Sequence, residues 1–118
     1  MKMDIAVLVD SNGYVASFFE PCHVGLYRKE ESVWKEYARL PFTLDGREGI
    51  WAARKSLAGL VRDMGDVRII AGSTITGLPY HIFESAGFNV YEIEGKAEQV
   101  LDLVWTEEIQ DSEAALHR

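Results

Sequence analysis

Cys22 and His23 are the only adjacent pair of soft ligands in the chain. A thiolate and an imidazole both bind iron or the edge of an iron–sulfur cluster. Two adjacent ligands do not complete a metal site. Such a pair would clip a preassembled cluster, or share it with another protein. In an extended segment neighbouring side chains leave on opposite faces, so joint ligation needs Pro21 to twist the backbone. Without that twist the pair reads as an inert buried thiol beside a surface histidine.

A second set of candidates lies in Arg68 to Gly87, RIIAGSTITGLPYHIFESAG. A strand, a small-residue loop and a short helix fit this stretch. Open α/β sheets put ligands at such joins, where unpaired backbone N–H groups favour an anion. Thr74, Thr76 and Gly77 supply hydroxyls and backbone donors for a carboxylate, although Thr76 serves equally as a plain N-cap. His81, on the second turn, is either a contact for an anionic cofactor or a partly exposed histidine. The expectation is a site with Thr76, Gly77 and His81 as one wall and Cys22 with His23 as the other.

Carboxylates give a competing chemistry. A two-metal hydrolase or nuclease needs several of them converging at one place. Asp10 and Asp4 bracket the first strand, but nothing brings Glu20, Asp45 or Asp66 to them. The chain has no serine elbow, P-loop or GxGxxG motif.

The elements that must position these residues follow from hydrophobic patterning. Met3 to Val9 is a nearly continuous apolar run, as in a strand buried on both faces. Asn12-Gly13 is a strong hairpin-turn signal, so Tyr14 to Phe19 is expected to return as an antiparallel strand. Glu20-Pro21 breaks it. His23 to Lys29 reads as a third strand and Val33 to Phe42 as a fourth, at an edge. Asp45 and Glu48 have capping-box spacing before a helix reaching Met64. Its apolar face comprises Ile50, Ala53, Leu57, Leu60, Val61 and Met64. Val67 to Ala71 is a core strand. The helix of the join closes at Gly87, and Phe88 to Ile93 is the last strand. Gly95 opens a final helix that buries Ala97, Val100, Leu101 and Val104. Trp51, and less strongly Trp105, read as partner-facing anchors.

The order β-β-β-β-α-β-α-β-α implies an α/β fold with a single mixed β-sheet and flanking helices. Residues 1–105 make one domain, and residues 106–118 a helical extension or loose acidic tail. With 118 residues the chain is long enough for one core. Its net charge of −7 disfavours nucleic acid, whose binding leans on phosphate neutralisation. No apolar run is long enough for a membrane span, and MKMDIAVLVD does not read as a signal peptide. The single cysteine points to the reducing cytoplasm.

The segments IAVLVDSNGYVASFFEP, HVGLYRKEESVWKEY and STITGLPYHIFESAGFNVYEIEG, with the closing helix, resemble the AnfO family of iron-only nitrogenase accessory proteins. TGLPYHIFESAGF and YEIEG are the most specific parts. More distantly, the chain is similar to the NifX-type nitrogenase cofactor carrier domains and the tail domain of NifB, which have a ribonuclease H-like fold. The resemblance implies binding, escort or insertion of an iron–sulfur cofactor or its precursor, without substrate turnover. It also implies dinitrogenase or a cofactor-assembly protein as partner. In the carrier domains a His-Phe-Gly segment follows the second strand. Here Cys22-His23-Val24-Gly25 sits near that place, with Val in place of Phe. Alongside stand a metal-dependent hydrolase and a purely protein-binding regulator of nitrogenase.

Overall fold

A computed structural model gives the fold of the chain. The residues described are 3–20, 22–42, 44 and 49–116, the side chains of 111–116 excepted. The strands are β1 (Asp4–Val9), β2 (Cys22–Glu30), β3 (Val33–Phe42), β4 (Ile69–Gly72) and β5 (Asn89–Glu92). The helices are α1 (Ile50–Asp63), α2 (Gly77–Ser85) and α3 (Ala97–Leu116). One mixed sheet has the order β3-β2-β1-β4-β5. The pairs β1–β2 and β2–β3 are antiparallel, whereas β4 is parallel to both β1 and β5.

The expected strand from Tyr14 to Phe19 does not form. Asp10 does close a turn: its Oδ1 accepts N–H bonds from Asn12 at 2.8 Å and Tyr14 at 3.0 Å. Gly13 takes the left-handed conformation there, φ 84°. Beyond the turn, Tyr14 and Val15 make isolated bridges, Val9–Val15 and Tyr14–Lys96, in place of a strand. The reason is hydrogen-bond supply. Both edges of β1 are already occupied, one by β2 and one by β4, so no returning strand can pair along it. The segment instead crosses the end of β1. There the Ala16 N–H donates to Leu8 O at 2.8 Å, and Ala16 O accepts from Ser73 N–H at 3.0 Å.

Alternation along β1 feeds two cores. Ala6 and Leu8 join Leu57 and Leu60 of α1, Met64 at its C-cap and Phe83 of α2. Ile5, Val7 and Val9 join Ala97, Val100, Leu101 and Val104 of α3. Hence β1 is fully buried after its first residue, as its apolar run requires. Phe18, off any strand, anchors the first core by stacking on Phe83 at 5.5 Å and meeting Phe42 edge-on at 5.5 Å.

The helix ends follow local chemistry in part. Gly49 occupies the N-cap position of α1, while Asp45 and Glu48 lie outside the described residues. Ile50 is exposed, so the apolar face of α1 is carried chiefly by Leu57, Leu60 and Met64. Thr76 stands at the N-cap position of α2, yet its side chain makes no capping hydrogen bond. Gly87, φ 85°, follows the end of α2, as expected of a left-handed closing residue. From Thr106 the chain continues as α3 to Leu116. Glu108 is buried there, and its Oε1 accepts from Asn89 Nδ2 at 2.9 Å and from the Tyr91 hydroxyl at 2.7 Å. That carboxylate fastens α3 to the edge strand β5.

Candidate functional site

Register fixes which residues of β2 share a face. Val9 pairs with His23, Val7 with Gly25 and Ile5 with Tyr27. Directly paired residues lie on the same side of a sheet. His23, Gly25 and Tyr27 therefore face the α3 side, with Ile5, Val7 and Val9. His23, opposite Val9, lies at the carboxyl end of β1 and of the parallel β4. His23 lines an open cleft of about 990 Å³ there. The turn Asp10 to Gly13, Glu36 and Arg39 of β3, and Lys96 before α3 form its other walls.

Glu36 reaches this cleft because β3 is bulged. Leu26 pairs with Ala38, but the next residue, Tyr27, pairs with Glu36, leaving Tyr37 as an extra residue. Strict alternation would send Glu36 to the side of Ala38 and Leu40, which pack on the α1–α2 core. The bulge turns it to the opposite side, over Gly25. A Cβ built on Gly25 would lie 2.6 Å from the Tyr27 ring and 2.9 Å from Glu36 Oε2. The absence of a side chain at residue 25 is what lets the carboxylate settle against β2.

Glu36 organises the polar contacts. The Tyr27 hydroxyl donates to its Oε2 at 3.0 Å and Arg39 Nε to its Oε1 at 2.8 Å. Burial raises the Glu36 pKa, but those two donors, with the charges of Arg39 and His23, outweigh it and hold the carboxyl below its ordinary value. Tyr27 is pushed well up, first by burial and then by Glu36. His23 Nε2 lies 3.6 Å from Glu36 Oε2. That nitrogen is buried and has no hydrogen-bond partner among the described residues. An orphaned polar atom of this kind is uncommon in folded proteins.

Cys22 borders the cleft, but its sulfur serves the other face. The thiol donates to Phe42 O at 3.4 Å and Ser17 O at 3.6 Å. Burial, and secondarily Glu20, raises its pKa to about 11. Adjacent residues of an extended strand thus part to opposite faces, and Cys22 and His23 do so here. Thr74, Thr76, Gly77 and His81 do not line the cleft. The first three and His81 are exposed, and the His81 ring lies 6.0 Å from that of Tyr80. The join lies at the same end of the sheet as His23. Between them runs the segment of Ala16 and Phe18, bonded to Ser73 and stacked on Phe83.

Asp4 and Asp10 flank β1 and stay apart. Asp4 takes a two-pronged bond from Arg28 at 2.9 and 2.8 Å and one from the Tyr37 hydroxyl at 2.9 Å. Among the described residues no group of three or more His, Cys, Asp and Glu side chains is placed to hold a metal ion. Trp51 is 81% exposed on α1. Trp105 instead packs edge-on against Trp34 at 5.8 Å, with Lys29 Nζ over its ring at 4.6 Å.

Tyr27, Glu36 and Arg39 carry no mark of a shared site in their own sequence positions; Gly25, a glycine inside an otherwise good strand, is the one local signal of a bulge or close approach.

A model of the family described as iron only nitrogenase protein AnfO matches residues 4–117. No curated protein and no solved structure matches the chain. No helix among the described residues is long and apolar enough to cross a membrane.

Proposed function

Because the chain belongs to the AnfO family of iron-only nitrogenase accessory proteins, we propose that it binds an iron–sulfur nitrogenase cofactor, or its precursor, as cargo in the cleft beside His23. The observation that carries this reading is the orphaned Nε2 of His23, buried at the margin of that cleft. A neutral imidazole nitrogen is a common ligand for iron. Arg39 and Lys96 place positive charge on the cleft lining beside Asp10, Glu36 and Glu98, so attraction of an anionic cluster rests on those two side chains locally and not on the net charge of the cleft. Such a cluster reaches Nε2 once the Glu36 side chain swings aside. Arg39, which ties Glu36 down, is 64% exposed and free to follow it.

His23 is the ligand in this proposal. Cys22 keeps its hydrogen bonds in the opposite core, and Thr74, Thr76, Gly77 and His81 form a separate surface. The strand order β3-β2-β1-β4-β5, with an antiparallel start and parallel β4 and β5, supports a ribonuclease H-like reading of the sheet. It is the fold of the carrier domains that the sequence distantly resembles. The unpaired thiol of Cys22 fits a reducing cytoplasm.

Anaerobic titration with isolated iron-only cofactor tests the proposal. Wild type is expected to retain visible absorbance through gel filtration, Cys22→Ser to retain it equally, and His23→Ala to lose it. Equal retention by wild type and His23→Ala, or none by wild type, overturns it. A second reading, docking on apo-dinitrogenase, is favoured by the exposed Ile50 and Trp51 at the start of α1. Capture of dinitrogenase subunits by wild type but not Trp51→Ala would support it.

A further inference from the structure

We propose that His23 and Glu36 form a two-residue clip for a divalent first-row metal ion. Ligands bound roughly 2.0–2.2 Å from a common metal at tetrahedral or trigonal angles lie about 3.3–3.7 Å apart. His23 Nε2 and Glu36 Oε2 are 3.6 Å apart. An ion between them would replace the long 3.6 Å ion-pair contact with a close partner for a buried nitrogen that has no hydrogen bond. It would also take up a carboxylate held on the cleft side by the bulge at Tyr37.

The surroundings are those of oriented metal ligands. Arg39 Nε donates to Glu36 Oε1 and the Tyr27 hydroxyl to Oε2, which orients the resting carboxylate. The close approach over Gly25 sets the carboxylate against the strand that carries the imidazole. Arg39 opposes a cation electrostatically, an effect reduced but not removed by the high dielectric around its exposed side chain. Imidazole with carboxylate suits iron(II), zinc and cobalt(II) better than magnesium or calcium. Two protein ligands leave at least two positions open on a tetrahedral ion. The ion would sit at the margin of the cleft that both residues line, where a second molecule can complete the coordination.

The clip shares its cleft with the proposed cargo and rests on the same histidine, but it requires no cluster. The test is therefore made with Co²⁺ alone, on the full chain. One equivalent is expected to give visible ligand-field bands. The bands should vanish in His23→Ala, weaken in apparent affinity by roughly tenfold or more in Glu36→Gln, and persist in Cys22→Ser. Absence of bands in wild type, or their survival unchanged in Glu36→Gln, overturns the clip. If cofactor is retained while Co²⁺ gives no bands, the clip fails and the cargo reading stands. If Co²⁺ binds as expected while cofactor does not, the clip stands without it.

Discussion

His23 and Glu36, on neighbouring strands, point into the same cleft only because Tyr37 is an extra residue in β3. Their facing atoms are 3.6 Å apart. The backbone irregularity, more than either side chain, defines the site. The first prediction concerns Gly25. A methyl group there would collide with the Tyr27 ring and Glu36 Oε2. Gly25→Ala should displace both, costing about 1–3 kcal/mol in urea unfolding, and should abolish the Co²⁺ bands even though both ligands remain.

Glu108 gives a second prediction. Glu108→Ala removes the acceptor for Asn89 and Tyr91 together. The expected loss is about 1–3 kcal/mol, since the bonds from the Tyr91 hydroxyl and Asn89 Nδ2 to this buried carboxylate both go. Truncation before Thr106 should cost at least as much. Thermal unfolding with no change in either variant would mean that this part of α3 contributes nothing to stability.

A third prediction concerns the aromatic core. Phe83 is fully buried, stacks on Phe18 and meets Phe88 edge-on at 5.0 Å. Phe83→Ala should cost about 3–5 kcal/mol, a large share of the stability of a domain this size. Denaturant unfolding measures it directly.

The fourth is pH dependence at Cys22. Its thiol pKa is raised from 9.0 to about 11, chiefly by burial. Alkylation by iodoacetamide at pH 8 should therefore be much slower than for a free thiol, and should accelerate as pH approaches 11. The sign for stability follows. The folded state holds the proton more tightly than the unfolded state, so this contribution is complete below pH 9 and is lost as pH rises through the folded value. Rapid alkylation at pH 8 would contradict the burial of the sulfur.

Much of the fold is legible in local pattern. The apolar run of β1, the spacing of Leu57, Leu60 and Met64, and Gly87 at the end of α2 all state their roles in sequence. Tyr14 to Phe19 misleads because a hairpin signal is local, whereas the availability of a strand edge is global: β4, far along the chain, takes the edge that a returning strand would need. Glu36 is hidden for a related reason. Period-two alternation places it with Ala38 and Leu40, and only the pairing of β3 with β2 exposes the shift. His23 could be named from its chemistry. Its partner required the register.

The two-sided burial of β1 has a consequence during synthesis. Ile5, Val7 and Val9 precede nearly everything they pack against, and α3, which covers them, follows every other described element. While the chain is being made, β1, β2 and β3 can already form their meander. One sheet face then stays bare until α3 has left the ribosome. A nascent chain in that condition is aggregation-prone and a natural client for chaperones. Ribosome-stalled chains lacking α3 should accordingly be far more protease-sensitive than the released protein.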